Sequence, residues 1–140
     1  MPLMFLNGGA MRGGELHHLL GGAPLVRVAR TAARYRFYSV AGRFPALVPV
    51  PDPDSGLTSP GPGPGVSVAG ELYDLGWSLL REDLLPAEPP ELELGVIELD
   101  DGSGCLAMLR RAPFAEPPGR FTDISDFADW RTYLQARVRT

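Results

Sequence analysis

The sequence of 140 residues contains no lysine, and arginine supplies all 13 of its basic residues. Without a lysine amine the chain cannot form a Schiff base or supply the lysine of a P-loop. The 17 acidic residues outnumber the arginines and leave a formal net charge of −4. The arginines are spread along the chain and form no basic stripe of the kind that nucleic-acid-binding proteins carry. We therefore expect no nucleic-acid partner.

Cysteine is also scarce, because Cys105 is the only one in the sequence. This excludes an intramolecular disulfide and a cysteine-based zinc site. No apolar run reaches the roughly 18 residues of a membrane-spanning helix. The apolar residues 1–6 lack the basic start and the length of a signal peptide. We expect a cytoplasmic protein without a membrane partner that folds as one domain over residues 1–140.

Glycine and proline, by contrast, are frequent, with 17 and 15 residues. Prolines recur closely in residues 49–65, where they exclude a helix or a central strand. This Pro/Gly-rich segment is predicted to be a long exposed loop within the domain. The whole chain is nevertheless 44% hydrophobic, which is typical of a folded protein rather than a disordered one.

The hydrophobic pattern predicts short strands joined by tight turns. Tyr35–Val40 alternates large and polar side chains, as a half-buried strand does. Asp101 and Gly102 form a typical hairpin turn between two further strands. Because strands outnumber helices and several hairpins are local, the pattern indicates an α+β fold with a small mixed sheet or barrel. The predicted strands span residues 3–6, 25–28, 35–40, 46–50, 66–75, 92–99 and 106–109, and short helices are predicted over residues 15–20 and 77–85.

A further helix is predicted near the C-terminus, and aromatic residues are predicted to fill the core. Trp77, Phe127 and Trp130 are expected to be buried, and Cys105 to be a small buried hydrophobe. Ile124, Phe127, Trp130 and Leu134 share one helical face, and Thr122, Asp123 and Ser125 offer N-cap oxygens.

The first candidate site is the glycine-rich turn that follows the first predicted strand. Four glycines in residues 7–14 allow successive backbone N–H groups to point toward one anion or carbonyl oxygen. The spacing matches neither the dinucleotide-binding pattern nor the P-loop pattern. The alternative is an ordinary turn between a strand and a helix.

His17 and His18 form the second candidate. Adjacent helical residues point about 100° apart, so the two rings are not expected to share a metal ion. No third histidine or paired acid completes a ligand set. We expect one packed and one exposed histidine, and no metal site.

Glu88 is the third candidate, because it lies in an apolar segment stiffened by Pro86, Pro89 and Pro90. Apolar surroundings raise the pKa of a carboxyl group, which suits a general acid or base near neutral pH. The alternative is an ordinary surface glutamate. Other glutamates compete for the role, namely Glu71, Glu91, Glu93 and Glu98. Of these, Glu91 and Glu93 are expected to face solvent while Leu92 and Leu94 face the core.

Residues 5–13 resemble the first strand and loop of the γ-glutamylcyclotransferase-like superfamily, where a strand leads into a glycine turn with a basic residue. The resemblance continues through residues 17–23, 30–32, 35–38, 44–49 and 68–73. It implies a small mixed β-barrel with flanking helices. Residues 84–89 match the segment that carries the acid/base glutamate of that family, and Glu88 falls on the glutamate.

The resemblance also implies a reaction and a site. A γ-glutamyl compound would cyclise to 5-oxoproline and release an amine, with Glu88 as the acid/base and without a cofactor. Backbone N–H groups of the first loop would hold the small-molecule substrate, which assigns substrate binding to Asn7, Gly8, Gly9, Ala10 and Met11.

Residues 31–38 and 123–134 further resemble the allophanate hydrolase C-terminal domain, which acts after an amidase has opened allophanate. This resemblance implies two alternatives, a domain acting on a small urea-derived carboxylate and a non-catalytic binding module that partners an amidase. The chain departs from these relatives before the glutamate, where Leu85 and Pro86 stand in place of a Leu-Asp pair, and at three further positions. Asn7 replaces a tyrosine, Pro89 replaces a glycine, and Ala10 stands where the allophanate hydrolase domain has a loop histidine.

Overall fold

The computed structural model describes residues 3–14, 16–50, 65–111 and 121–138. The described strands form one mixed eight-stranded sheet that curls into a half-barrel, which confirms the predicted α+β fold. The strand order is β2-β5-β1-β7-β4-β3-β8, and β6 pairs with β7. The strands are β1 (Leu3–Leu6), β2 (Leu25–Arg30), β3 (Tyr35–Val40), β4 (Phe44–Pro49), β5 (Ala69–Asp74), β6 (Leu92–Glu98), β7 (Gly104–Arg110) and β8 (Phe121–Asp123).

Strand β7 organises the sheet, because two different strands share one of its edges. Its other edge pairs along its length with β6 in an antiparallel hairpin. On the shared edge β1 is parallel to β7, with Phe5 opposite Ala107. Continued by two residues, this register would place Asn7 opposite Leu109, but Leu109 pairs with Leu47 of β4. The chain therefore leaves the sheet after β1, and the loop that follows pairs with none of the described strands.

The core lies inside the curl of the sheet. Phe5, Phe37 and Leu47 from three strands are almost completely buried there. Cys105 is buried too, as the sequence predicted, and burial raises the pKa of its thiol to about 11. The thiol is thus protonated at neutral pH and unsuited to act as a nucleophile.

Short helical segments connect the strands. A 3₁₀ turn, His17–Leu20, ends at Gly21 in the left-handed conformation with φ of 59°. Helix α1 (Trp77–Leu79) continues as a π turn, Leu80–Leu84, and a 3₁₀ turn, Leu85–Ala87. No helix in the described ranges is both long and apolar enough to cross a membrane.

The C-terminal helix α2 spans Trp130–Val138, so the prediction that it includes Ile124 and Phe127 is wrong. The preceding residues 121–123 form β8, which pairs with β3. Ser125 then bonds to the sheet, because its Oγ accepts the Phe37 N–H at 2.9 Å. Ala128 has a positive φ of 52°, which no helix tolerates, and the Asp129 Oδ1 accepts the Arg131 N–H at 3.0 Å to cap the new helix.

Two of the three burial predictions for aromatic residues also fail. Trp77 is 64% exposed, because its helical segment packs through the buried Leu80 and Leu84. Phe127, at 39% exposed, lies in the turn before α2 rather than on a helix face. Trp130 is buried as predicted.

The predicted orientation near the start of β6 is partly wrong. Glu91 is only 3% exposed, whereas Leu94 is 39% exposed. Glu91 precedes the strand, and its carbonyl accepts the Arg111 N–H at 2.7 Å, so the alternation of the strand does not extend to it. Leu92 is buried as expected. The predicted Pro/Gly-rich loop falls mostly in residues 51–64, which lie outside the described residues.

Candidate functional site

A cavity of about 560 Å³, the first cavity, opens where the chain leaves β1 beside β4. This volume is typical of a site for a small molecule. Most of its lining comes from four parts of the chain: residues 7–10, the turn between β3 and β4, the segment that carries Glu88, and the start of α2. Its apolar wall includes Phe44, Leu92, Met108 and Trp130.

Residues 7–10, here called the donor loop, supply one side of the first cavity. In the part of the chain that the structure describes, the backbone N–H groups of Gly8, Gly9 and Ala10 have no acceptor. Met11, which the sequence also assigned to substrate binding, does not line this cavity. Its N–H donates to the Gly8 carbonyl at 3.1 Å and closes the turn. Three N–H donors therefore remain for a ligand.

Asn7 adds a fourth unused donor at the same place. Its Nδ2 is buried and has no hydrogen-bond acceptor among the described residues. An unpaired buried donor costs about 1–3 kcal/mol, and such groups in native proteins call for an explanation. A ligand oxygen in the first cavity would remove this cost.

Glu88 lines the first cavity together with the donor loop. Its N–H donates to the Leu85 carbonyl at 3.1 Å, and its backbone is extended, with φ of −76° and ψ of 145°. The ring of Pro89 disfavours a helical conformation at the preceding residue, so the proline fixes the point where the helical segment ends. Burial raises the pKa of Glu88 to about 7. The side chain can therefore accept and return a proton at neutral pH.

Arg43, a residue that the sequence did not single out, also lines the first cavity. It follows Ala41 and Gly42, whose positive φ values of 54° and 72° form the tight turn between β3 and β4. Its guanidinium has no ion-pair or hydrogen-bond partner among the described residues. An unpaired arginine beside free N–H groups suits a carboxylate ligand. Nothing in the sequence separates Arg43 from the other arginines.

Glu71, which competed with Glu88 as the candidate acid/base, has a different environment. It is 1% exposed, and its Oε1 accepts the Arg12 N–H at 2.8 Å and the Tyr73 hydroxyl at 2.9 Å. Its Oε2 accepts the Arg12 Nε and the Arg131 Nη2, both at 3.1 Å. Burial alone would raise the pKa of Glu71, but these hydrogen bonds outweigh it and lower the pKa to about 2. Glu71 is thus a fixed anion that anchors the segment after the donor loop.

The two histidines lie near the donor loop, and only one of them contacts it. The Nδ1 of His17 is 3.1 Å from the Ala10 carbonyl oxygen, whereas His18 is exposed. Within the described ranges, no group of three or more His, Cys, Asp or Glu side chains could hold a metal ion.

Replacing Gly8 with alanine is expected to displace the donor loop. A Cβ at this position would lie 2.7 Å from Pro45 Cδ, closer than real contacts allow. Because Pro45 is rigid and buried, the loop would have to move, and we expect ligand affinity to fall about tenfold or more, as small displacements in a site can cause.

Isothermal titration with a small carboxylate ligand would measure this loss. Gly76→Ala is the matched control, because a Cβ at Gly76 meets nothing within 4 Å and its φ of −71° suits alanine. Equal affinity of both variants would contradict a role for the loop.

The allophanate hydrolase C-terminal domain family matches residues 2–135 of the chain. A uropathogenic Escherichia coli-specific protein of known structure is 31% identical, with a TM-score of 0.79, and the match covers 96% of this chain and 95% of that one. Kluyveromyces lactis allophanate hydrolase is 20% identical, with a TM-score of 0.81 over 97% of this chain. This chain spans only 21% of that enzyme.

A more distant structure has the same kind of fold. A mouse AIG2-like protein is 20% identical, with a TM-score of 0.53, over 86% of this chain and 82% of that one. No curated protein sequence matches the chain. These comparisons establish the fold that the sequence resemblance implied.

Proposed function

The chain belongs to the allophanate hydrolase C-terminal domain family, and we propose that its first cavity is the active site of a cytoplasmic small-molecule enzyme. The proposed reaction is the cyclisation of a γ-glutamyl compound to 5-oxoproline with release of an amine. One observation carries this proposal. Glu88, with a pKa of about 7, lines the same cavity as three backbone donors and Arg43, all of which lack a partner among the described residues.

Each group has a separate task in this reaction. Arg43 would bind the α-carboxylate of the substrate by charge-assisted hydrogen bonds. The N–H groups of Gly8, Gly9 and Ala10 would stabilise the oxyanion that develops on the γ-carbonyl oxygen. The apolar wall around Phe44 and Trp130 would hold the departing amine portion and exclude water.

Proton transfers through Glu88 would connect the steps. The Glu88 carboxylate accepts a proton from the substrate α-ammonium group, and the freed nitrogen attacks the γ-carbonyl carbon to close a five-membered ring. Glu88 then returns the proton to the leaving nitrogen, and the bond between this nitrogen and the γ-carbon breaks. The ring nitrogen passes its extra proton to the departing amine, so that Glu88 ends as it began. Because the nucleophile belongs to the substrate, one acid/base and a set of donors suffice.

A second candidate is a reaction on a small urea-derived carboxylate, which the family match favours. The donor loop and Arg43 would bind such a carboxylate equally well. The relatives named for allophanate hydrolase and urea amidolyase are much longer chains. This second candidate therefore includes an amidase as a partner of the chain. The domain itself would either catalyse a step or only bind the ligand.

The direct test is to incubate the purified protein with γ-glutamyl amides and with urea-derived carboxylates, and to measure 5-oxoproline and ammonia. Release of 5-oxoproline supports the first candidate. Turnover of the urea-derived carboxylate alone supports the second. Turnover of neither, with retained binding of a small carboxylate, would favour a binding module.

The rate should depend on pH through Glu88. Because its pKa is raised to about 7, the base is protonated below that pH and ionised above it. We expect kcat/KM to rise about tenfold per pH unit below neutrality and to level off above it. A pH profile of initial rates measures this rise, over the pH range in which circular dichroism shows that the protein is folded. A flat profile across neutral pH would contradict Glu88 as the base.

A further inference from the structure

A second cavity, of about 640 Å³, adjoins the first and shares part of its lining with it. The two cavities share Gly8, Gly9 and Arg43, together with the start of α2. Arg12, Arg131 and Gln135 line only the second cavity, and Glu88 lines only the first. The second cavity therefore has its own set of polar groups.

Three arginines surround this cavity in a chain whose net charge is −4. No acidic residue is among the described residues that line it. The nearby carboxylate is Glu71, which is buried and binds Arg12 and Arg131. The three guanidinium groups and Glu71 together leave a net charge of +2. Such a concentration of positive charge in a concave site attracts an anion.

The arginines also keep hydrogen-bond donors free for a ligand. Arg12 bonds Glu71 through Nε, and Arg131 bonds Glu71 and the Arg12 carbonyl through Nη2. The other guanidinium nitrogens of these two residues have no partner in the ranges that the structure describes, and the same holds for all those of Arg43.

The bonds to Glu71 and to the Arg12 carbonyl hold two of the three guanidinium groups in place. Because these two side chains are already ordered, they lose less conformational entropy when a ligand binds. A guanidinium presents its donors in a planar fork that matches the oxygens of a phosphate or carboxylate group.

We propose that the second cavity is a binding site for a small oxyanion of the phosphate or carboxylate type, held by Arg12, Arg43 and Arg131. The N–H groups of Gly8 and Gly9, which have no acceptor within the described part of the chain, are further donors at the boundary between the two cavities. Arg43 serves both cavities, whereas Arg12 and Arg131 line only this one and have no role in the proposed reaction. Binding of the oxyanion does not require Glu88.

Titration calorimetry with inorganic phosphate at low ionic strength tests this proposal on the whole chain. We expect saturable binding to the unmodified protein. Arg43→Gln removes one positive charge from the cavity, and Gln135→Glu adds one negative charge to it. Each variant should weaken phosphate binding about five-fold, the loss expected for one half-exposed ion pair.

Two controls make the same changes of charge elsewhere. Arg81→Gln removes an exposed arginine that pairs with Glu82, and Ser78→Glu adds an acid at an exposed position outside both cavities. Both controls should bind phosphate like the unmodified protein. Glu88→Gln should also leave phosphate affinity unchanged, which separates this proposal from the proposed function.

A parallel titration with succinate distinguishes the two sources of the oxyanion. Tighter binding of phosphate indicates a phosphorylated ligand, and tighter binding of succinate indicates a carboxylate ligand. Gln135 lines only the second cavity, whereas Arg43 lines both, so Gln135→Glu decides where the anion binds. The proposal is overturned if neither anion binds saturably, or if Gln135→Glu binds as the two controls do.

Discussion

Replacing Glu88 by glutamine is expected to lower the turnover of the γ-glutamyl substrate by about 10²–10⁴-fold, the usual contribution of a general acid/base. The amide has the shape of the carboxyl group but cannot accept a proton from the substrate ammonium. Since the donor loop and Arg43 are untouched, KM should change little. Initial rates of 5-oxoproline release, measured over a range of substrate concentrations, separate the two parameters.

Measuring the folding stability of Glu88→Gln shows whether its lower turnover comes from the missing acid/base or from misfolding. The pKa of Glu88 is about 7 in the folded protein and ordinarily 4.5, so the folded state binds more protons than the unfolded chain between these values. The contribution of Glu88 to stability is therefore present at acid pH and is lost as the pH rises through 7. Above that pH the neutral amide should match or exceed the stability of the original side chain.

Glu82→Gln is the matched control, because Glu82 is exposed and lies outside both cavities. It should retain full activity. If Glu88→Gln keeps its rate within a factor of about three of the control, the acid/base assignment is wrong, since loss of a general base costs far more.

Replacing Glu71 by alanine is expected to destabilise the fold by about 3 kcal/mol, at the lower end of the cost of breaking a buried ion pair. The change leaves the Arg12 N–H and the Tyr73 hydroxyl without their acceptor. The cost stays at the lower end because the side chains of Arg12 and Arg131 are 58% and 45% exposed and can turn to water. Denaturant unfolding followed by tryptophan fluorescence measures the difference.

The same carboxylate should make the protein sensitive to acid. The pKa of Glu71 is about 2 in the folded state and ordinarily 4.5, so its contribution is complete above 4.5 and is lost as the pH falls toward 2. Glu71→Ala should therefore lose less stability than the unmodified protein over this interval.

Glu98→Ala is the control for this substitution, because Glu98 forms a half-exposed pair with Arg34 at 3.5 Å. Such pairs contribute at most about 1 kcal/mol. Equal stability of the Glu71 and Glu98 variants would show that the bonds of Glu71 do not stabilise the fold.

The strands were predictable where the alternation of side chains reflects one buried face. Tyr35–Val40 and Leu3–Leu6 are strands β3 and β1 as predicted. The length of the C-terminal helix was not predictable, because the helical spacing of apolar residues begins at Ile124, before the helix itself begins at Trp130. Ser125 binds the backbone of β3, and Ala128 has a positive φ. Neither feature can be read from the spacing of apolar residues.

The candidate site, too, was predictable from the sequence only in part. The glycine turn and Glu88 attracted attention through local composition and through resemblance to a family. That they line one cavity follows from the pairing of Leu109 with Leu47, which displaces the donor loop from the sheet. Glu71 and Arg43 have no unusual neighbours in sequence, and their environments arise from residues far away along the chain.

The absence of lysine, the negative net charge, the glycine turn and most strand positions follow from the sequence by itself, because each depends on residue type or local periodicity. Only the tertiary structure brings Arg12, Arg43 and Arg131 around one cavity, although they are scattered along the chain. It also makes Glu71 a buried, hydrogen-bonded anion and gives Glu88 a raised pKa. Burial and charge pairing depend on which distant segments meet, and that is decided by strand order rather than by neighbouring residues.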